Sequence, residues 1–288
     1  MSEIRIVADH ARWRTEFEAR VLAGYRAAGC TQTLARALLE RVLKGVEDWT
    51  VATDGTGWLA VSVTQDGGAS VGRIHDLTLS QGREWAERWC AEHGAQRVEV
   101  RLTGGAGAFG DYPVRGQNRM RVAAERPDLP PGLTVRRLTE AEYPAWYAGE
   151  EAAYIADIVR AGALTPQQAK AKSDEDFVRY LPQGYRTPGH AFYVMEADGQ
   201  AIGTAWVNHG FLPGVTFGFS LEVYEEHRGK GYGRAAMSVG EWATRQGGDE
   251  MMMFNVFGGN DVAMGLYDST GFAVLDEVRS IDLARDTG

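Results

Sequence analysis

The sequence predicts an α/β (α+β) protein whose two halves follow a similar order of elements. Three observations lead there. Arg126-Pro127-Asp128-Leu129-Pro130-Pro131-Gly132 packs three prolines and a glycine into seven residues, which neither a helix interior nor a central strand tolerates. The residues after it read β α α β β β α β α β. The residues before it echo that order more faintly. The expected division is therefore residues 1–126, a linker at 127–132, and residues 133–288.

In the second half, Leu133 to Leu138 reads as a short strand. Thr139 with Glu142 has capping-box spacing and opens a helix that ends near Gly162. Thr165 followed by Pro166 sets a second N-cap with proline at the first helical position, and that helix runs to about Leu181. Strands at 191–197 and 201–208 flank Asp198-Gly199, a two-residue hairpin signal. A strand at 215–223 follows, then a helix over 232–246 stopped by Gly247-Gly248. A strand at 251–257, a short helix at 261–269 and a strand at 272–282 complete the half.

The first half offers helices at 10–28 and 31–44, a strand at 49–53, an Asp54-Gly55 turn and strands at 57–63 and 70–79. A helix over 82–93 ends at Gly94, and a strand follows at 97–102. An Asp-Gly hairpin and a glycine-terminated helix in matching places suggest an internal duplication. Gly104 to Gly110 is a flexible, glycine-rich stretch.

Bulk properties narrow the function classes. With 288 residues, 44% apolar and 24% charged, the chain has the balance of a soluble globular protein that needs no disulfide or metal staple. Cys30 and Cys90 fall in expected helices and read as idle thiols. The six histidines are scattered without a Cys/His cluster, so no metal is expected. No apolar run approaches the ~18 residues of a membrane span, and the first twenty residues carry Glu3, Asp9, Glu16 and Glu18 rather than a secretory signal. No membrane partner and a cytoplasmic location are expected. Residues 1–130 hold 17 acids and 17 bases, whereas residues 131–288 hold 22 and 13, so the second half carries the whole net charge of −9. Nucleic acid is a poor partner for such a surface. A cationic small molecule suits it better.

The informative stretch is Leu221-Glu222-Val223-Tyr224-Glu225-Glu226-His227-Arg228-Gly229-Lys230-Gly231-Tyr232-Gly233-Arg234. A strand enters a turn with glycines at alternate positions and leaves it as a helix. Glycines let backbone N–H groups approach a ligand closely, and the helix start adds unpaired N–H groups and a positive dipole end. Arg228, Lys230 and Arg234 add charge for phosphates. The result is an anion cradle open to three cofactor classes. A P-loop lacks its G-x-x-x-x-G-K-[ST]. Gly231-x-Gly233-x-x-Ala236 satisfies a dinucleotide pattern, but the acid expected at the end of the next strand is missing; Asp249 and Glu250 stand at that strand's start. The third class is the pyrophosphate of coenzyme A.

Arg228-x-x-Gly231-x-Gly233 resembles the acyl-CoA signature of the GNAT N-acetyltransferase superfamily. Phe254-Asn255-Val256-Phe257 resembles that family's fifth strand, and Asn260-x-x-Ala263-x-x-Leu266-Tyr267-x-x-x-Gly271-Phe272 its fourth helix and exit. The resemblance covers residues 133–283. It implies two GNAT-like domains in tandem, each a mixed, mostly antiparallel sheet flanked by helices. It also implies an acetyl-CoA-dependent N-acetyltransferase acting on a primary amine, by direct attack with a general base. By that resemblance, Val223 pairs with the pantetheine arm in a gap between the fourth and fifth strands. Gly229, Lys230, Gly231, Tyr232, Gly233 and Arg234 hold the pyrophosphate with Arg228. Asn260 fixes the cofactor, and Asn255 is either a strand-end amide or a contact. Tyr267 touches the cofactor and protonates the departing sulfur, and Glu222 is the candidate base, with His190 and His209 as alternatives. Glu225 and Glu226 are read as solvated loop residues. The expected partner is a small, cationic amine, met by a monomer with an internal pseudo-dimer or by a homodimer. A catalytically silent acyl-CoA sensor is the alternative, and a dinucleotide oxidoreductase the third reading.

The first half departs from the signature. Residues 76–83 read Asp-Leu-Thr-Leu-Ser-Gln-Gly-Arg, with one glycine in place of the alternating set. It reads as a degenerate repeat that does not hold CoA. Tyr143, Trp146, Tyr147 and Tyr154 at helical spacing read as core, with a wall of the acceptor site as the alternative, and Glu150, Glu151 and Asp157 as a solvated helix face, with attraction of a cationic acceptor as the alternative.

Overall fold

Sequence-local signals set most of the elements. The computed structural model describes residues 3–66, 68–162 and 164–283. A short strand β1 (Arg5–Ile6) leads into helices α1 (Ala11–Ala27) and α2 (Gln32–Val42). Thr31 caps α2 by accepting from Leu34 N–H. Cys30 lies in the turn between these helices rather than inside one, because Gly29 adopts φ 93° and ends α1. The strands β2 (Thr50–Thr53), β3 (Trp58–Asp66) and β4 (Ala69–Leu77) pair antiparallel in sequence order. Helix α3 (Gly82–Glu92) carries the buried Cys90, then crosses to β5 (Arg97–Leu102), which runs parallel to β4. The strand β6 (Val114–Val122) follows; its alternating arginines and polar residues hid it from hydrophobic patterning.

The next strand, β7 (Leu133–Arg137), pairs with β8 (His190–Ala197), and β8 with β9 (Gln200–Leu212) across a two-residue turn. Asp198 and Gly199 both take positive φ, 51° and 74°, as the tight turn requires. Between β7 and β8 lie α4 (Tyr143–Arg160) and α5 (Pro166–Tyr180). The Thr139–Glu142 bonds form as read, but they precede the helix: Glu142 Oε2 accepts from Thr139 N–H at 2.8 Å and α4 begins one residue later. Thr165 and Gln168 close a full capping box on α5. Then come β10 (Val215–Val223), α6 (Tyr232–Gln246), β11 (Met251–Phe257), α7 (Asp261–Ser269) and β12 (Ala273–Asp282).

The chain forms two compact units, Gln117–Val274, and Met1–Gly116 with Leu275–Gly288. This partition departs from a division at 126 and 133. Most of β6 belongs to the second unit, where it lies beside β11, and nearly all of β12 belongs to the first, where Glu277–Asp282 pairs with Leu102–Arg97 of β5. Each half thus lends its last strand to the other half's unit. Residues 127–132 carry neither helix nor strand.

In the second unit the strand order is β6-β11-β10-β9-β8-β7. Strand alternation splits the core onto two faces. Ala191, Tyr193 and Met195 of β8 meet Ala235, Ala236, Val239 and Ala243 of α6. Phe192 and Val194 turn the other way, to Trp146 of α4 and Phe177 of α5. The first unit repeats the arrangement in the order β1-β2-β3-β4-β5-β12, with Ala86 and Cys90 of α3 packed on Val98 and Val100.

Candidate active site

The strands β10 and β11 run parallel and pair only from Val215/Met251 to Gly218/Phe254. Both continue, to Val223 and Phe257, so their ends part and leave a gap where the two strands no longer pair with each other. On its other side, β10 keeps its pairing with β9, but the register skips Phe219 between Gly218↔Val207 and Ser220↔Trp206. This bulge puts two consecutive side chains on the α4 side of the sheet. Phe219 stacks on Trp206 with ring centroids 4.3 Å apart, and Ser220 Oγ donates to Glu150 Oε1 at 2.7 Å. Beyond the bulge, Leu221 packs against α6, and Glu222 shares the face of Ser220.

Helix α4 lies along that mouth. Glu150, Tyr154 and Asp157 follow each other at helical spacing. Glu150 meets Ser220 of β10, and Tyr154 meets Phe257 of β11 with rings 5.8 Å apart. Glu150 is only 7% exposed, which corrects its reading as part of a solvated face. Its hydrogen bond from a bulged strand is invisible to helical periodicity. Burial pushes its carboxyl up to about 7, helped by the charges of Glu222 and Asp157 and opposed by the Ser220 bond. Burial also raises Glu222, with the nearby Arg228 opposing, and raises Asp157.

The turn after β10 has the conformation an anion cradle needs. Gly229 and Gly231 take φ 76° and 86°, and Gly231 serves as the N-cap of α6 without a side-chain cap. Among the described residues, nothing accepts from the N–H groups of Gly229, Lys230, Gly231, Tyr232 or Gly233. They converge at the positive end of α6. Of the basic side chains, Arg228 turns back, donating to Val223 O at 2.9 Å and lying 3.4 Å from Glu222 Oε1. Lys230 donates to Glu226 O, and Arg234 is exposed. Gly233 faces α7, where an added Cβ would sit 3.2 Å from Leu266.

On the α7 side, Tyr267 packs on Phe254 with centroids 4.3 Å apart. Burial raises its phenol to about 12, Asp157 adding to the rise and Arg119 opposing it. Asp268, the next residue, is clamped by Arg119 of β6, which also donates to Phe272 O and is 4% exposed. No sequence signal pointed to Arg119. Asn260 spends its side-chain oxygen on capping α7 through Ala263 N–H. Asn255 is exposed and donates to Gln117 O and Asn118 Oδ1 of β6, on the side of β11 away from β10.

Neither histidine reaches this cluster as a base. His190 Nδ1 accepts from Trp206 Nε1 and its Nε2 lies 3.0 Å from the Asn208 amide, so both ring nitrogens are engaged; burial lowers its pKa to about 4. His209 Nδ1 is bonded to Thr216 at the far end of β10, and Thr216 donates to Asp249.

The first unit has the same parting of strands without the cradle. Its β4 and β5 pair from Val71/Arg97 to Ile74/Val100 and then run on. Here Asp76 accepts from Trp13 Nε1 at 2.9 Å and from Arg20, so α1 side chains occupy the position. Gly82 answers a packing need: an added Cβ would lie 2.5 Å from Leu77.

The profile of the Acetyltransferase (GNAT) family matches residues 146–272, the segment that holds the gap, the cradle and α7. The uncharacterised N-acetyltransferase YycN of Bacillus subtilis is 33% identical over 132 residues, 44% of this chain and 83% of that protein. The chain belongs to the GNAT acetyltransferase family. This GNAT protein is also 30% identical over 212 residues to the mycothiol acetyltransferase of Thermobispora bispora, covering 70% of this chain and 66% of that one. In fold it is similar to a GCN5-related N-acetyltransferase from Sphaerobacter thermophilus, with a TM-score of 0.57 at 18% identity over 97% of this chain and 95% of that one. Among the described residues, no group of His, Cys, Asp and Glu gathers as a metal site, and no helix is long and apolar enough to cross a membrane.

Proposed function

We propose that this GNAT protein transfers an acetyl group from acetyl-CoA to the primary amine of a small, cationic acceptor. The observation that carries the reading is the gap between β10 and β11 beyond Gly218/Phe254, followed in the chain by a turn whose N–H groups from Gly229 to Gly233 have no acceptor among the described residues. A diphosphate fits those donors. An extended pantetheine arm fits between strands that no longer pair with each other, where it would take the place of Arg228 at Val223 O. Residues Val223, Arg228–Arg234, Asn255 and Asn260 would hold the co-substrate, which supplies the activated thioester carbon.

The protein's own groups supply the proton transfers. Tyr267 is the acid that gives its proton to the leaving sulfur; its raised pKa keeps the phenol protonated at neutral pH. The carboxylates Glu150, Asp157 and Glu222 on the α4 side attract an ammonium and repel anions. The test is calorimetric titration with acetyl-CoA, followed by thiol release with putrescine, tyramine and glucosamine. Binding with amine-dependent thiol release supports the reading, and absence of binding contradicts it.

A further inference from the structure

We propose that Glu150, reached through the Ser220 hydroxyl, is the base that takes the proton from the acceptor ammonium. The inference rests on the acetyltransferase reading and deepens it, because it moves the proton acceptor from Glu222 on the strand to a helix residue behind it.

Geometry separates the three carboxylates. Glu222 sits at the rim, with 36% of its side chain exposed and Arg228 beside it, so its charge is already partly neutralised. Asp157 is ion-paired to Arg160 at 2.8 Å. Glu150 is buried, and among the described residues no cation pairs with it. A buried carboxylate without a counter-charge is costly to keep, and such groups mark sites where a proton must be held. Glu150 Oε1 receives the Ser220 proton at 2.7 Å, and Ser220 stands on the bulge where β10 begins to part from β11. Its oxygen keeps lone pairs for a donor arriving in the gap.

The proton account balances. An amine N–H bond breaks and its proton passes to Ser220 Oγ, while the Ser220 O–H proton passes to Glu150 Oε1. The freed lone pair forms the C–N bond as the C–S bond breaks. Tyr267 gives its proton to the departing sulfur, and the second N–H proton, lost as the amide forms, restores the Tyr267 phenol. One proton is left on Glu150 and returns to water.

Of the charged and titratable groups on the surrounding elements, Asp157, Glu222 and Tyr224 act on Glu150 directly. Asp157 is on its own helix. Asp176 of α5 is bonded to Tyr154, Lys172 and Arg179. Glu222 of β10 carries Arg228, with Tyr224 beyond it, and Tyr267 projects from α7. The negative members raise the base and the positive ones offset them.

The test compares native protein with Glu150→Gln, Ser220→Ala and Glu222→Gln, reading acetyl-CoA affinity and the pH profile of thiol release with the three amines. Glu150→Gln is expected to keep acetyl-CoA affinity and to lose about 100-fold in kcat. Its rising pH limb should move up toward the amine's own pKa. Ser220→Ala should show the same shift, whereas Glu222→Gln should move the limb to lower pH by removing a negative neighbour. Native rate and native limb in either Glu150→Gln or Ser220→Ala overturn the proposal and leave the acetyltransferase reading intact. A native protein that does not bind acetyl-CoA, or that binds it and releases no thiol with any amine, overturns that reading and this proposal with it.

Discussion

Ser220 and Glu150, 70 residues apart, share a 2.7 Å hydrogen bond at the point where β10 parts from β11. The bond satisfies one oxygen of a buried carboxylate that has no cationic partner, so its charge costs stability. Glu150 is raised from an ordinary 4.5 to about 7 in the fold. Between those values the native state binds more protons than the unfolded chain, so this group's contribution to stability falls as pH rises through that window and is flat above it. Glu150→Gln keeps an acceptor for Ser220 and removes the charge. Its unfolding free energy, from denaturant titration, should exceed the native one at pH 8 by on the order of 3 kcal/mol at most, and match it near pH 4. Identical pH dependence in the two proteins would show that the carboxylate is not destabilised.

Tyr267→Phe should leave the packing on Phe254 and Phe272 in place, because the rings are the same size. The expected loss is about 100-fold in kcat with little change in acetyl-CoA affinity, read by single-turnover thiol release. Since burial holds the phenol near 12, no falling limb from Tyr267 should appear in the native profile below about pH 10.

Gly231→Ala tests the cradle. At φ 86° an added Cβ costs about 1–2 kcal/mol of backbone strain. Relief of that strain would turn N–H groups away from the phosphates. Acetyl-CoA should bind at least tenfold more weakly by calorimetry, and thermal stability should fall only slightly.

Arg119→Ala removes a buried guanidinium that bonds Asp268 and Phe272 O, the end of the helix that carries Tyr267. Removing one partner of such bonds costs about 2–4 kcal/mol. The variant should unfold at lower denaturant, and kcat should fall more than acetyl-CoA affinity because Tyr267 loses its fixed position.

Much of this was legible in the sequence, and the remainder has physical reasons. Thr165, Asp198-Gly199 and the glycines at 229 and 231 are local signals whose conformations follow from their own chemistry, so the cap of α5, the hairpin and the sharp glycine turn after β10 formed as read. Helical spacing of Glu150, Tyr154 and Asp157 was equally visible, but which face it presents depends on what packs there. The bulge at Phe219 arises from pairing with β9, and it alone brings Ser220 to Glu150. The exchange of β6 and β12 between units is a long-range pairing too. Arg119 belongs to a strand whose polar alternation hid it, so its clamp on α7 had no local trace.

The most direct measurement is thiol release from acetyl-CoA by the native protein with and without amines, with product mass determined in the same reaction. Amine-dependent release with an acetylated amine as product, both slowed about 100-fold in Tyr267→Phe, is the expected result. Acetyl-CoA that neither binds nor releases thiol in the presence of any amine would contradict the account.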